Sequence, residues 1–207
     1  LLYKVEFDEL EWRGGSGDDE LAWRGKAWIG KDEHKLLLKT RGERTNDATE
    51  EFELQLLYDQ AIAPFWDLQF GWRGDFQPGD ERNWFAFGFE GLAPGFIESE
   101  LTAFAGGSGR TAARARFAYD LLFTQKLILE PELELDWYGK DDPANRVGSG
   151  IASLEAGLRL RYELRREFAP YIGLNWTGLY GDTKRYARAD GEDTSDLQIL
   201  AGLRFWF

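Results

Sequence analysis

Apolar and polar residues change places every second position over most of this chain, and the clearest case is GLRLRYELRREFAPYIGLNW at residues 157–176. Leu154, Ala156, Leu158, Leu160, Tyr162 and Leu164 alternate with Glu155, Gly157, Arg159, Arg161 and Glu163. A period of two is the signature of a strand, because a helix would mix those Arg and Glu residues into its apolar side. Arg165, Arg166 and Glu167 read as a turn, and Ile172, Leu174 and Trp176 restart the alternation beyond Pro170. The stretch predicts a hairpin with one greasy and one charged face.

The same reading extends along the chain. Tyr3, Val5 and Phe7 share one parity while Leu10 and Trp12 fall on the other, which predicts a bulge near Asp8–Glu9. Leu21 and Trp23 mark a second strand, residues 31–34 a turn, and residues 35–44 a third strand. Phe52, Leu54, Leu56 and Tyr58 pair in a hairpin with Trp66, Leu68, Phe70 and Trp72. Phe85, Phe87 and Phe89 give strand six, and Ile97, Leu101 and Ala103 strand seven. Ala113 to Leu121 is expected as one strand, and Leu127 to Trp137 as the next. After strands ten and eleven, residues 181–195 are expected to be the longest loop, before Leu197 to Phe207 closes the chain. About twelve strands in up-and-down order result, with tight turns after even-numbered strands and longer, more polar loops after odd ones. That is the layout of an antiparallel transmembrane β-barrel whose termini lie in the periplasm. A final Phe207 behind an alternating strand fits a chain folded into the bacterial outer membrane. A single barrel domain over residues 1–207 is expected.

Composition sharpens this. The sequence is 30% charged, yet its apolar parity is Leu, Trp, Tyr and Phe along whole strands, as lipid outside and water or ion pairs inside would require. No run approaches the roughly 18 apolar residues of a spanning helix. No export signal precedes Leu1, so one is expected to have been removed or left out. Cys and Met are both absent, so thiolate and thioether ligands are not available. A net charge of −12 excludes a nucleic-acid partner, which needs clustered bases facing phosphate.

Two sets of residues are candidates for chemistry. His34, the only His, stands beside Asp32 and Glu33 in a predicted turn, where imidazole and carboxylates could hold a divalent metal ion or simply face solvent. A Ser-His-acid hydrolase is disfavoured, since no Ser falls near His34 on a neighbouring predicted strand. The second set is a charge ladder. Glu130, Glu132, Glu134 and Asp136 are predicted to point inward between Arg114 and Arg116 on one side and Arg159 and Arg161 on the other. Strands lie about 4.8 Å apart, so the rows can pair across the wall. They would either brace a narrow interior with ion pairs or form a conduit for cations. Carboxylates also gather in the outer loops: Asp18, Asp19, Asp47, Asp80, Glu81, Asp141, Asp142, Asp182, Asp190, Glu192 and Asp193, with few bases beyond Arg146, Lys184, Arg185 and Arg188. Such a rim would draw cations, or bind divalent ions bridging to lipopolysaccharide.

Several long segments in order resemble one family. They are LLYDQAIAPFWDLQFGWRGDF (56–76), GLAPGF (91–96), LLFTQKLILEPELEL (121–135), residues 157–176, GDT (181–183), ARADGEDT (187–194) and LAGLRFWF (200–207). Along nearly its full length the chain is similar to the outer-membrane barrel of copper resistance protein B. The resemblance implies copper tolerance in the outer membrane of a Gram-negative bacterium, with copper bound or passed there and a periplasmic copper-handling protein as a partner. Family members usually carry a Met- and His-rich segment before the barrel, which is not among these residues, and an aromatic residue where this chain has Gly95. The rival expectation is a structural or general porin-like barrel whose copper handling resides in that segment.

Overall fold

The structure is a computed structural model that describes all residues except 16–18, 46, 47, 78 and 80. Its strands are β1 (Leu2–Gly14), β2 (Glu20–Lys31), β3 (His34–Thr45), β4 (Thr49–Ala63), β5 (Trp66–Gln77), β6 (Arg82–Ala93), β7 (Ile97–Gly106), β8 (Thr111–Ala118), β9 (Leu121–Leu122), β10 (Leu127–Tyr138), β11 (Gly150–Tyr162), β12 (Phe168–Leu179) and β13 (Ser195–Trp206). Each pairs antiparallel with its sequence neighbour, β1 pairs with β13, and β8 and β9 both pair with β10. The thirteen segments therefore fill twelve wall positions, and the ring is closed. Closure leaves no long free edge, as a sheet in lipid requires; among the described strands only the two-residue β9 has a single neighbour.

The strand split at β8 has a covalent cause. Leu133 of β10 pairs with Phe117 and Leu129 with Leu121, so Pro131 faces the gap at Tyr119–Asp120. Proline has no N–H to donate, and the ladder breaks opposite it. One continuous strand from Ala113 to Leu121 is thereby corrected. The bulge near Asp8 is present: Phe7 pairs with Gly25 and Glu9 with Arg24, which leaves Asp8 extra. Glu6 and Glu9 consequently both turn inward and are buried.

The outward parity is apolar and uncovered, with Leu36, Leu56, Phe85, Ile172 and Ile199 all exposed. The inward parity is not purely charged, which departs from the expectation. Leu37, Leu57, Trp84, Ala86, Phe104 and Ala112 point into the interior as one buried cluster, flanked by Trp28 and Tyr138. The guanidinium of Arg73 lies 4.3 Å from the Phe104 ring centroid, and those of Arg73, Arg82 and Arg110 lie 5.5–5.9 Å from Trp84, so cation–π contacts join this strip to the charges around it.

The segment expected to be the longest loop contains a helix, α1 (Gly181–Asp190). Gly191, at φ 81°, ends it by sending its N–H back to the carbonyls of Ala187 and Arg188. The Gly148 N–H donates to Thr183 Oγ1 at 2.9 Å, and Arg146 donates to Asp190 at 2.7 Å, so α1 is tied to the 139–149 connection. Its sequence is too polar for a core-facing stripe, which is why periodicity did not reveal it. This end of the barrel, with the longer connections, is the loop end; the other carries the short turns and both chain ends.

Candidate functional site

The interior narrows in the middle. A cavity of about 440 Å³ opens at the loop end, and one of about 250 Å³ at the terminus end. Between them lies free space of only about 60 Å³, room for a few water molecules. It shares Arg41, Glu53 and Arg114 with the loop-end cavity and Asp8, Lys26, Glu90, Glu100 and Arg116 with the terminus-end one. The narrowing is a waist along one path.

Charge pairs fill this waist. The ladder expected on β10 is present, and its adjacent partners meet it as strand neighbours do. Arg114 Nε donates to Asp136 at 2.9 Å, Arg116 Nε donates to Glu132 at 3.0 Å, and Arg161 pairs with Glu130. Arg159 departs from the expectation. Its Nη1 stays 3.8 Å from Glu132, while Nε and Nη2 donate to Glu11 of β1 at 3.1 and 3.0 Å. Glu11 is fully buried and also accepts from the Tyr171 hydroxyl at 2.9 Å. The space for this cluster comes from Gly202, where an added Cβ would stand 2.7 Å from Glu11 Cβ and the Tyr171 ring.

Three further residues that pattern reading did not single out complete the waist. Arg24 of β2 reaches Glu132 at 3.0 Å, Glu134 at 3.2 Å and Glu9 at 2.9 Å. Arg41 of β3 pairs with Glu134, and Arg114 reaches Glu53 of β4 at 3.0 Å. Glu134, only 2% exposed, thus faces Arg24, Arg41 and Arg114. Buried charges of this kind are tolerated only with such partners.

The loop-end cavity is lopsided. Glu20, Glu43, Glu51, Glu155 and Asp196 share its lining with Arg13 and Arg41, Arg73, Arg82 and Arg114 line it beside Asp75, Glu53 and Asp136, and Arg146 lines it from the 139–149 connection. Arg13 alone lies within 4 Å of five carboxylates, those of Glu9, Glu11, Glu20, Glu43 and Glu155. Over the whole lining eight carboxylates face six arginines, an excess of two negative charges.

His34 is not in the turn but begins β3, where its Nδ1 and the Tyr58 hydroxyl share a hydrogen bond of 2.7 Å. Asp32 and Glu33 occupy the exposed turn beside it. Among the described residues no group of three or more His, Asp or Glu side chains is arranged to hold a metal ion. Of the rim carboxylates, Asp18, Asp47 and Asp80 lie outside the described residues. Asp142 is met by Arg110 at 3.3 Å and Arg82 at 3.8 Å, Asp190 by Arg146, and Asp182 by Arg185 at 3.1 Å, so bases answer more of this rim than its sequence suggested. Asp141 accepts the Ser149 N–H at 2.6 Å, a bond that holds its carboxyl below the ordinary range.

The family model described as copper resistance protein B precursor matches residues 1–207. A copper resistance protein B homolog of Pseudomonas syringae pv. tomato is 48% identical over 200 residues, covering 97% of this chain and 68% of its own. The copper resistance protein B of Escherichia coli is 46% identical over 207 residues, covering 100% and 70%. Among solved structures, the NanC porin superposes with a TM-score of 0.62 at 14% identity, covering 99% of both chains. The KdgM porin gives 0.54 at 8% identity, covering 100% of this chain and 99% of its own. These two likenesses concern the fold.

Proposed function

Because this chain belongs to the copper resistance protein B family, we propose that it serves copper tolerance as a non-catalytic barrel of the bacterial outer membrane, drawing Cu(II) into its acid-lined outer cavity. The observation that carries this reading is the gathering of Glu20, Glu43, Glu51, Glu155 and Asp196 at the loop end, in a lining where carboxylates outnumber arginines by two. Carboxylates around an opening with low-dielectric walls focus a negative potential and raise the local cation concentration. Oxygen ligands suit Cu(II), while Cu(I) prefers the sulfur that these residues lack. Short turns at the terminus end and longer connections at the other support an orientation with the loop end outside, against lipopolysaccharide, and the terminus end in the periplasm, where a copper-handling protein would meet it. The narrow waist opposes free diffusion, which favours copper handling over a general porin-like role.

Calorimetric titration of the reconstituted barrel with CuCl2 tests this. We expect weak Cu(II) binding that falls several-fold in Glu43→Gln/Glu51→Gln/Glu155→Gln, and no retention of Cu(I) against a competing chelator. Cu(II) binding indifferent to those substitutions, or tight stoichiometric Cu(I) binding, would sink the reading.

A further inference from the structure

We propose that Arg24 and Arg41 are the gate of this barrel: tethered cations that close the waist by reaching across it, and whose presence sets both how much passes and which sign of charge. The inference rests on the copper reading only for the identity of the ion. Around the ring, β10 stands six positions from β3 and five from β2, so these strands face each other across the interior. Arg24 Nη1 and Nη2 meet Glu132 and Glu134 at 3.0 and 3.2 Å, and Arg41 meets Glu134. The pairs Arg114 with Asp136, Arg116 with Glu132 and Arg161 with Glu130 join adjacent strands and brace the wall, and Lys39 with Glu90 and Glu100 and Arg114 with Glu53 span three or four positions, so Arg24 and Arg41 are the side chains that reach furthest across.

The two halves of the gate are unequal. Glu132 and Glu134 are held from their own side as well, by Arg116 at Glu132 and by Arg114 at 3.6 Å from Glu134, so they keep their places when the far arginines leave. The Arg24 and Arg41 side chains each keep 15% exposure, against 3% and 2% for Glu132 and Glu134, and their long stems lie along the narrow free space. They are the parts able to swing. Their removal also makes the waist more negative by two charges, and a path lined by Asp8, Glu53, Glu90, Glu100 and Glu134 against Lys26, Lys39, Arg114 and Arg116 then prefers cations.

Planar-bilayer recording in KCl, without copper, reads the gate separately from the copper reading. We expect the parent barrel to conduct little and Arg24→Ala/Arg41→Ala to conduct several-fold more, with the reversal potential in a salt gradient moving to the cation side. Arg41→Lys, which keeps the tethered charge, should stay near the parent. Folding is checked by heat-modifiable migration, and Glu134→Gln, which keeps shape while weakening both cross-lumen contacts, should also raise conductance if the double variant does not insert. A folded variant that conducts no more than the parent, or a parent that already conducts as freely, overturns the proposal. A Cu(II) titration that fails while conductance rises removes the copper reading and leaves the gate standing.

Discussion

Arg41 and Glu134, 93 residues apart in sequence, meet in the middle of the barrel from strands on opposite sides of the ring. Glu134 is the acid on which Arg24 and Arg114 also converge. Replacing it by Ala leaves buried guanidinium groups without their shared counter-charge, and removal of one partner from a buried pair costs about 3–5 kcal/mol. Urea unfolding of the reconstituted barrel should show a loss of that order for Glu134→Ala. The exposed pair of Arg146 with Asp190, by contrast, should cost no more than about 1 kcal/mol when Arg146 becomes Ala.

Tyr171 stands over Gly202 and donates to the fully buried Glu11. Tyr171→Phe removes a hydrogen bond to a charged group and should destabilise by about 1.5–3 kcal/mol. Gly202→Ala places a Cβ against Glu11 and the Tyr171 ring, and overpacking of this kind costs about 1–3 kcal/mol. Equal stability of all three proteins in the same unfolding assay would contradict the packing described.

Leu158 on β11 is 41% exposed on the apolar outer face, and its strand neighbours Arg159 and Gly157 turn the other way. A charge facing lipid near the middle of the wall costs about 2–4 kcal/mol. Leu158→Arg should therefore lower stability in bilayers by that amount, measured against the parent in the same lipid.

Asp141 supplies an acid response expected outside the strands. Its carboxyl is held low by the Ser149 N–H, so the bond's contribution is complete above the unfolded value of about 3.9 and fades as pH falls through the lower folded value. The Ser149 amide resonance should titrate with a midpoint below about 3.9, and Asp141→Asn should abolish that titration. A midpoint above 3.9 would mean that the bond does not favour the charged carboxylate.

The wall of this barrel was readable from sequence because a strand's period is two and lipid tolerates only one kind of face. Phe85, Phe87 and Phe89, the Asp8 bulge and the hairpin at residues 157–176 all declare themselves locally. So do pairs on adjacent strands, such as Arg114 with Asp136 and Arg161 with Glu130, since register follows from the turns between them. The tertiary structure decided what closure brings together. Arg24 and Arg41 reach β10 across the interior, and Arg159 turns from its β10 neighbour to Glu11 on β1. Leu37, Leu57, Trp84 and Phe104 also break the charged parity to line the inside, a placement that no alternation announces. These contacts depend on the diameter and stagger of the closed ring, which belong to all twelve strand positions at once and to no single stretch of the chain.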